Sequence, residues 1–249
     1  FTDGKEVVIS GKINEKDFDS TVGLALHEGS HCKLTDFGVL PNLSNLIPSK
    51  LKEQIKAKYD IEDWAVSNYI ESKVRNLLNI VEDRRIDNYV FKSAPGYKGY
   101  YNALYDRYFH SKSIDKGLQS GDYRELDWES YMFRIINITN TNRDINALPG
   151  LIDIWNVLDL KNISRLSDTL QALNIAIEIF KIVEDNIPTS QTSTTEGGEG
   201  EEDQECEGEN NGCSSSNGTK QPKTPEGEAP DDDGSTPEGD EAKKWLGEG

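Results

Sequence analysis

The sequence predicts a mainly α-helical domain over residues 1–187, with at most a small β element at its N-terminus, followed by a disordered acidic tail over 188–249. Three observations lead there. Apolar residues recur at three- and four-residue spacing through most of the first 187 positions; only one short run has β-branched character; and apolar content collapses after Pro188. The formal net charge of −18 follows the same division. Residues 188–249 hold 17 Asp or Glu against 4 Lys, whereas residues 1–187 hold 28 acids against 23 bases, so the helical part is only mildly acidic. A stretch of that length buries most of the apolar surface it would expose unfolded and needs no disulfide to hold it.

"KEVVIS" ahead of Gly11 reads as a short strand ended by a turn residue. "DFDS" then supplies N-cap candidates Asp17, Asp19 and Ser20 for a first helix through "TVGLALHEGSHCKL", with Gly38 and Pro41 as breakers beyond it. "SKLKEQIKAKY" is a short amphipathic helix. A third helix runs from 61 to about 91, with apolar residues at 74, 77, 78, 81 and 86, no internal Gly or Pro, and "APG" as its stop. "GYYNALYDRYF", "WESYMFRIINI", "GLIDIWNVLDL" and "ISRLSDTLQALNIAIEIFKIVE" continue the helical pattern between loops rich in Gly, Asn, Asp and Ser. Past Pro188 the Gly-, Ser- and Glu-rich chain lacks the apolar groups that would offset the entropy of ordering.

Several function classes fall away. Apolar runs such as "IWNVL" are far shorter than the roughly 20 residues that span a bilayer, so no membrane role is expected. An acidic chain without a Lys/Arg stripe does not suit nucleic acid, whose phosphates require clustered positive charge. Three scattered cysteines, Cys32, Cys206 and Cys213, do not make a disulfide framework, and no leader pattern opens the chain, which together indicate a reducing cytoplasmic setting. The chain begins with Phe and its one Met is Met132, so it reads as a piece of a longer protein.

The chemistry is concentrated in "LHEGSH". On a helix, residues four apart share a face, so His27 and His31 can direct two imidazoles at one metal ion while Glu28 lies beside the remaining coordination position. That is the arrangement of zinc-dependent peptide hydrolysis, in which two histidines hold Zn2+ and a glutamate acts as general base. A catalytic zinc takes a third protein ligand. Leu34 and Phe37 occupy the places where an H-E-x-x-H-x-x-G-x-x-H pattern needs Gly and His, and Asp36 is one residue out of step. The remaining source is a later helix, "NLLNIVEDRRIDNYV", which offers Glu82, Asp83 and Asp87.

Counting by three and four puts Glu82 on a largely apolar stripe with Val74, Leu78 and Ile86, and Asp83 on a more polar side with Asn76, Asn79 and Asp87. A carboxylate on a buried stripe needs a partner. Zinc makes Glu82 the expected third ligand; a salt bridge to Arg85 within a solvated "EDRR" run is the plainer explanation, and Asp83 is the other candidate ligand. Asn79, Asp83 or Asp87 are candidates to orient a histidine through its second ring nitrogen.

"LHEGSH", followed some fifty residues later by the helical "NIVEDRRID" and then by an acidic low-complexity stretch, resembles the N-terminal part of cobaltochelatase CobT-like, von Willebrand A-associated proteins of bacteria and phages, some of which carry a zincin-like peptidase motif. The resemblance implies a zincin-like helical domain with His27, His31 and Glu82 at the metal and Glu28 in the catalytic position. It also implies a von Willebrand A domain after the linker and a MoxR-type AAA ATPase as partner, with host cytoplasm or virion as the location of a phage-encoded copy. The expected function is a zinc metallopeptidase acting on a peptide or protein substrate; the alternative is a non-catalytic adaptor in which zinc is structural or vestigial. His110 reads as a helix-terminal residue, the tyrosines of 97–108 as packing residues, and Cys32 as a small core residue rather than a ligand.

Overall fold

The computed structural model describes residues 2–9, 11 and 13–189, and helices account for most of them. In order these are α1 (Phe18–Leu34), α2 (Leu43–Leu46), α3 (Ser49–Tyr59), α4 (Asp63–Ser93), α5 (Lys98–Tyr108), α6 (Lys112–Gln119), α7 (Trp128–Ile136), α8 (Leu151–Leu158) and α9 (Thr169–Asn186), with 3-10 turns at Phe37–Asn42 and Leu160–Arg165 among the connections. The mainly α expectation is met. The expected strand at "KEVVIS" reduces to an isolated antiparallel bridge between Thr2 and Val7. Its turn is closed locally, the Asp3 carboxylate accepting the Lys5 and Glu6 amides, and a lone two-stranded ribbon of this size has little to hold it. The readings of the tail, with Cys206 and Cys213, lie outside the described residues from position 190 onward.

The 31-residue α4 is the axis of the domain. Its N-terminal half presents Ile70, Val74, Leu77 and Val81 to α9, which answers with Ala172, Ala176, Ile179, Phe180 and Val183, and α7 and α8 close the core with Tyr131, Ile135, Ile154 and Leu158. The alanines let α9 approach closely, and the larger side chains interdigitate around them. One buried carboxylate ties the layers together: Glu184 of α9 accepts from Lys58 Nζ at 2.9 Å, Tyr59 OH at 2.8 Å and Trp128 Nε1 at 2.9 Å, and also from Tyr69. Four donors from α3, α4 and α7 compensate its burial.

Over residues 80–87 α4 is buried on every side, including Glu82, Asp83, Arg84, Arg85 and Asp87, because α1 and side chains of α5 cover the face that α9 leaves open. α1 lies against α5 at a spacing that only glycine permits. A Cβ on Gly23 would stand 2.3 Å from the carbonyl oxygen of Tyr100. This close approach fixes α1, and with it "HEGSH", over the polar part of α4.

Candidate metal centre

α1 carries His27, Glu28 and His31 on its inner side, all buried. The histidines sit one turn apart with ring centroids at 4.8 Å and planes nearly perpendicular, and their Nε2 atoms are 3.3 Å from each other. Asp83 of α4 reaches the same point. Its Oδ1 lies 3.1 Å from His31 Nε2 and 3.6 Å from His27 Nε2. Three donor atoms from two helices thus form a triangle with edges of 3.1, 3.3 and 3.6 Å. Tetrahedral coordination at 2.0–2.2 Å needs ligand atoms about 3.3–3.6 Å apart, so the triangle has the size of one face of such a site. His27, His31 and Asp83 are a group able to hold a metal ion.

The outer nitrogens settle the tautomers. His27 Nδ1 lies 2.9 Å from Asp87 Oδ1, and a carboxylate accepts only, so this nitrogen carries the proton. At His31 the logic passes through one more group. Thr35 Oγ1 donates to Glu82 Oε1 at 2.9 Å, so the hydroxyl has a lone pair left to accept from His31 Nδ1 at 3.0 Å. Each imidazole therefore turns its Nε2 inward, and at His31 that nitrogen faces a carboxylate oxygen 3.1 Å away. An imidazole nitrogen and a carboxylate oxygen at that distance share either a proton or a cation.

Charge in the centre is balanced by neighbours that are themselves buried. Burial opposes a positive charge on His27, but Asp87 and Asp83 outweigh it and push the pKa up to about 10 in the metal-free protein. Burial also works against the charge on Asp83, yet the hydrogen bonds from His27 and His31 hold its pKa well below the usual carboxylate range. Asp87 takes a second hydrogen bond from Tyr105, whose phenol is pushed well above its ordinary value by burial, with Arg84 opposing and Asp87 reinforcing the shift. The guanidinium of Arg84 lies between the rings of Tyr105 and Phe109, 5.0 and 5.6 Å from their centroids, and its Nη2 is 4.0 Å from Asp83. Its Nε and Nη1 have no hydrogen-bond partner, so ring faces and carboxylate charge compensate its burial.

Glu82, the expected third ligand, does not face the imidazoles. Its Oε2 accepts Arg85 Nε at 2.8 Å and its Oε1 accepts Arg85 Nη2 at 2.5 Å, together with Thr35 and Thr169, each at 2.9 Å. Arg85 also donates to the Leu34 carbonyl at 2.7 Å, clamping the end of α1. The buried carboxylate did need a partner, as its stripe implied, and the arginine one turn along supplies it. Asp83, one residue on, is the carboxylate turned toward α1. Asp87 orients His27, as expected of one of the polar-side residues. The parts that sequence reasoning missed are Thr35, Thr169, Tyr105 and Arg84. Thr35 had a local signal, standing four residues after His31 at the helix end. Thr169 had none, since its partner Glu82 is 87 positions away.

Asp36 caps the following turn, accepting the Gly38 amide at 2.9 Å, and takes no part in the centre. Cys32 Sγ lies 3.1 Å from Thr2 Oγ1, and His110 Nδ1 lies 3.3 Å from Asp106 at the end of α5. The centre opens onto a cleft of about 670 Å³ lined by Glu28, Leu24, Arg75, Asn79 and Tyr108 as well as the three donor residues. That volume is within the range of sites for small molecules and short peptides. No described helix is long and apolar enough to cross a membrane. Compared with known proteins, the chain matches no family model, and no curated protein or solved structure is significantly similar to it.

Proposed function

We propose that this protein is a zinc-dependent peptide hydrolase in which His27, His31 and Asp83 hold the metal and Glu28 is the general base. The observation that carries the reading is the meeting of two Nε2 atoms and one carboxylate oxygen in a group that borders a cleft, with the motif's glutamate bordering the same cleft. Two imidazoles and one carboxylate suit zinc and leave a coordination position open. Held by His27, His31 and Asp83, zinc would supply a water with its pKa lowered toward about 7 and a Lewis acid for the scissile carbonyl. Glu28 accepts the proton that the attacking water loses and returns it to the departing nitrogen, so the C–N bond breaks with release of a neutral amine. Asp87 and Thr35 keep the imidazoles aimed and in the metal-binding tautomer. Burial of the donors excludes bulk water from the cation's inner side.

A second reading rests on that same burial: a metal joining α1 to α4 would brace a non-catalytic adaptor, whose partner, on the resemblance noted above, would be a MoxR-type AAA ATPase. Glu28→Gln separates the two. A hydrolase retains its zinc and loses turnover of a quenched fluorescent peptide library by at least about a hundredfold, because the base is removed and the donors are spared. Equal turnover in wild type and Glu28→Gln would refute the assignment of Glu28, and zinc-loaded wild type inert on every peptide would favour the adaptor.

A further inference from the structure

Among the described residues, the cleft is lined by one positive charge that the fold does not use. Of the eight arginines in the chain, seven are engaged internally. Arg85 meets Glu82, Arg107 meets Asp17 and Arg124 meets Asp144; Arg84 and Arg143 lie against aromatic rings; Arg134 and Arg165 bind backbone carbonyls. Arg75 is exposed, lines the cleft, and has no hydrogen bond, ion pair or ring contact among the described residues. The acids around it are largely committed. Asp17 pairs with Arg107 at 2.5 Å, Glu82 with Arg85, Asp83 with the histidines, and Asp36 with an amide.

Position adds direction. Arg75, Asn79 and Asp83 succeed one another at four-residue steps along the side of α4 that borders the cleft, with Asn76 three positions before Asn79, and the amides of Asn76 and Asn79 have no partner among the described residues. The helix rises about 1.5 Å per residue, so Arg75 stands roughly 12 Å along the axis from Asp83. An extended peptide advances about 3.3–3.6 Å per residue, which makes that interval some three to four residues.

Resting on the peptide-hydrolase reading of the same cleft, we propose that Arg75 is a specificity-determining residue that receives a carboxylate of the substrate about three to four residues from the cleaved bond. Asn76 and Asn79 hydrogen-bond the peptide backbone between the two points. The carboxylate belongs either to an Asp or Glu side chain or to a free C-terminus. Both present two acceptor oxygens to the guanidinium fork.

The test measures binding, so it does not depend on turnover. Zinc-loaded Glu28→Gln protein is titrated against fluorescein-labelled octapeptide pools, random except for Glu or Gln fixed at one position, each pool with a free or an amidated C-terminus. For an exposed ion pair the expected preference is roughly threefold to tenfold for the acid, declining as salt is raised. A Glu-over-Gln difference at one position marks a side-chain carboxylate; a free-over-amidated difference that is blind to Glu marks the terminus. With Arg75→Ala added the preference disappears, and with Arg75→Glu it reverses, the Gln or amidated peptides then binding better than their acidic counterparts. No binding to any pool, no preference, or a preference that survives Arg75→Ala overturns the proposal. A preference that depends on Arg75, in a wild type that cleaves none of these peptides, would sustain it and contradict the hydrolase reading alone.

Discussion

Replacing Thr35 by Val tests the hydrogen-bond path that aims His31. The side chains have the same shape, so the change deletes one hydroxyl that accepts from His31 Nδ1 at 3.0 Å and donates to Glu82 Oε1 at 2.9 Å. Thr169 provides a matched control. Its hydroxyl also donates to Glu82 Oε1 at 2.9 Å and accepts one further hydrogen bond, from the Asp36 amide at 2.8 Å, but it does not touch a histidine. A hydrogen bond to a charged group contributes about 1.5–3 kcal/mol, and Glu82 keeps Arg85 and one threonine in either variant. Both substitutions should therefore lower unfolding stability by a similar amount, roughly 2 kcal/mol in urea denaturation. Metal affinity should separate them. Loss of the group that orients a ligand typically weakens binding about 10–100-fold, so chelator competition should show that weakening for Thr35→Val and a change of less than about threefold for Thr169→Val. Equal affinities for the two variants would refute the path through Thr35.

Other outcomes follow from the same contacts. Glu82→Gln leaves Arg85 without its counter-charge in the interior, so chemical denaturation should show a loss of roughly 3–5 kcal/mol, while the folded protein keeps its metal. In metal-free protein His27 has a folded pKa of about 10, above its unfolded value of 6.5, so its contribution to stability is fully present below about pH 6.5 and is lost as the pH rises through 10; urea midpoints measured between pH 6 and 10.5 should fall accordingly. Metal binding requires the inner nitrogen of His27 free of its proton, so metal affinity should rise with pH over the range in which apo stability falls, with proton release detectable by calorimetry in buffers of different ionisation enthalpy.

Much of this architecture is legible in the sequence because its signals are local. α3 matches "SKLKEQIKAKY" residue for residue, and α4 ends at the expected "APG". α6 was missed because it is only eight residues long with Gly117 inside, although Ser111 caps it by accepting the Ile114 amide; Gly117 lies against the ring of Phe133. The strand at "KEVVIS" had the right composition, but among the described residues its pairing is limited to the single Thr2–Val7 bridge. Spacing alone brought His27 and His31 to one side of α1, and a carboxylate from the "NIVEDRRID" helix to meet them.

The choice between adjacent carboxylates was beyond periodicity, for a specific reason. An apolar stripe marks what is buried when a helix has one covered face, but α4 at 80–87 is covered on all faces, so its polar side is interior too. "EDRR" was then open to reading as a solvated run, whereas all four residues are buried and pair inward. Which acid meets histidine and which meets arginine depends on the rotation of α4 relative to α1. The contact of Gly23 with Tyr100, far from either motif in sequence, helps set that rotation.

The most direct test of the central claim, that one cation is held by His27 and His31 from α1 and by Asp83 from α4, is the zinc content of wild type and Asp83→Ala after dialysis against trace zinc. About one zinc per wild-type chain and essentially none in a folded Asp83→Ala protein is the predicted result. Full zinc in Asp83→Ala, or none in wild type, would contradict it.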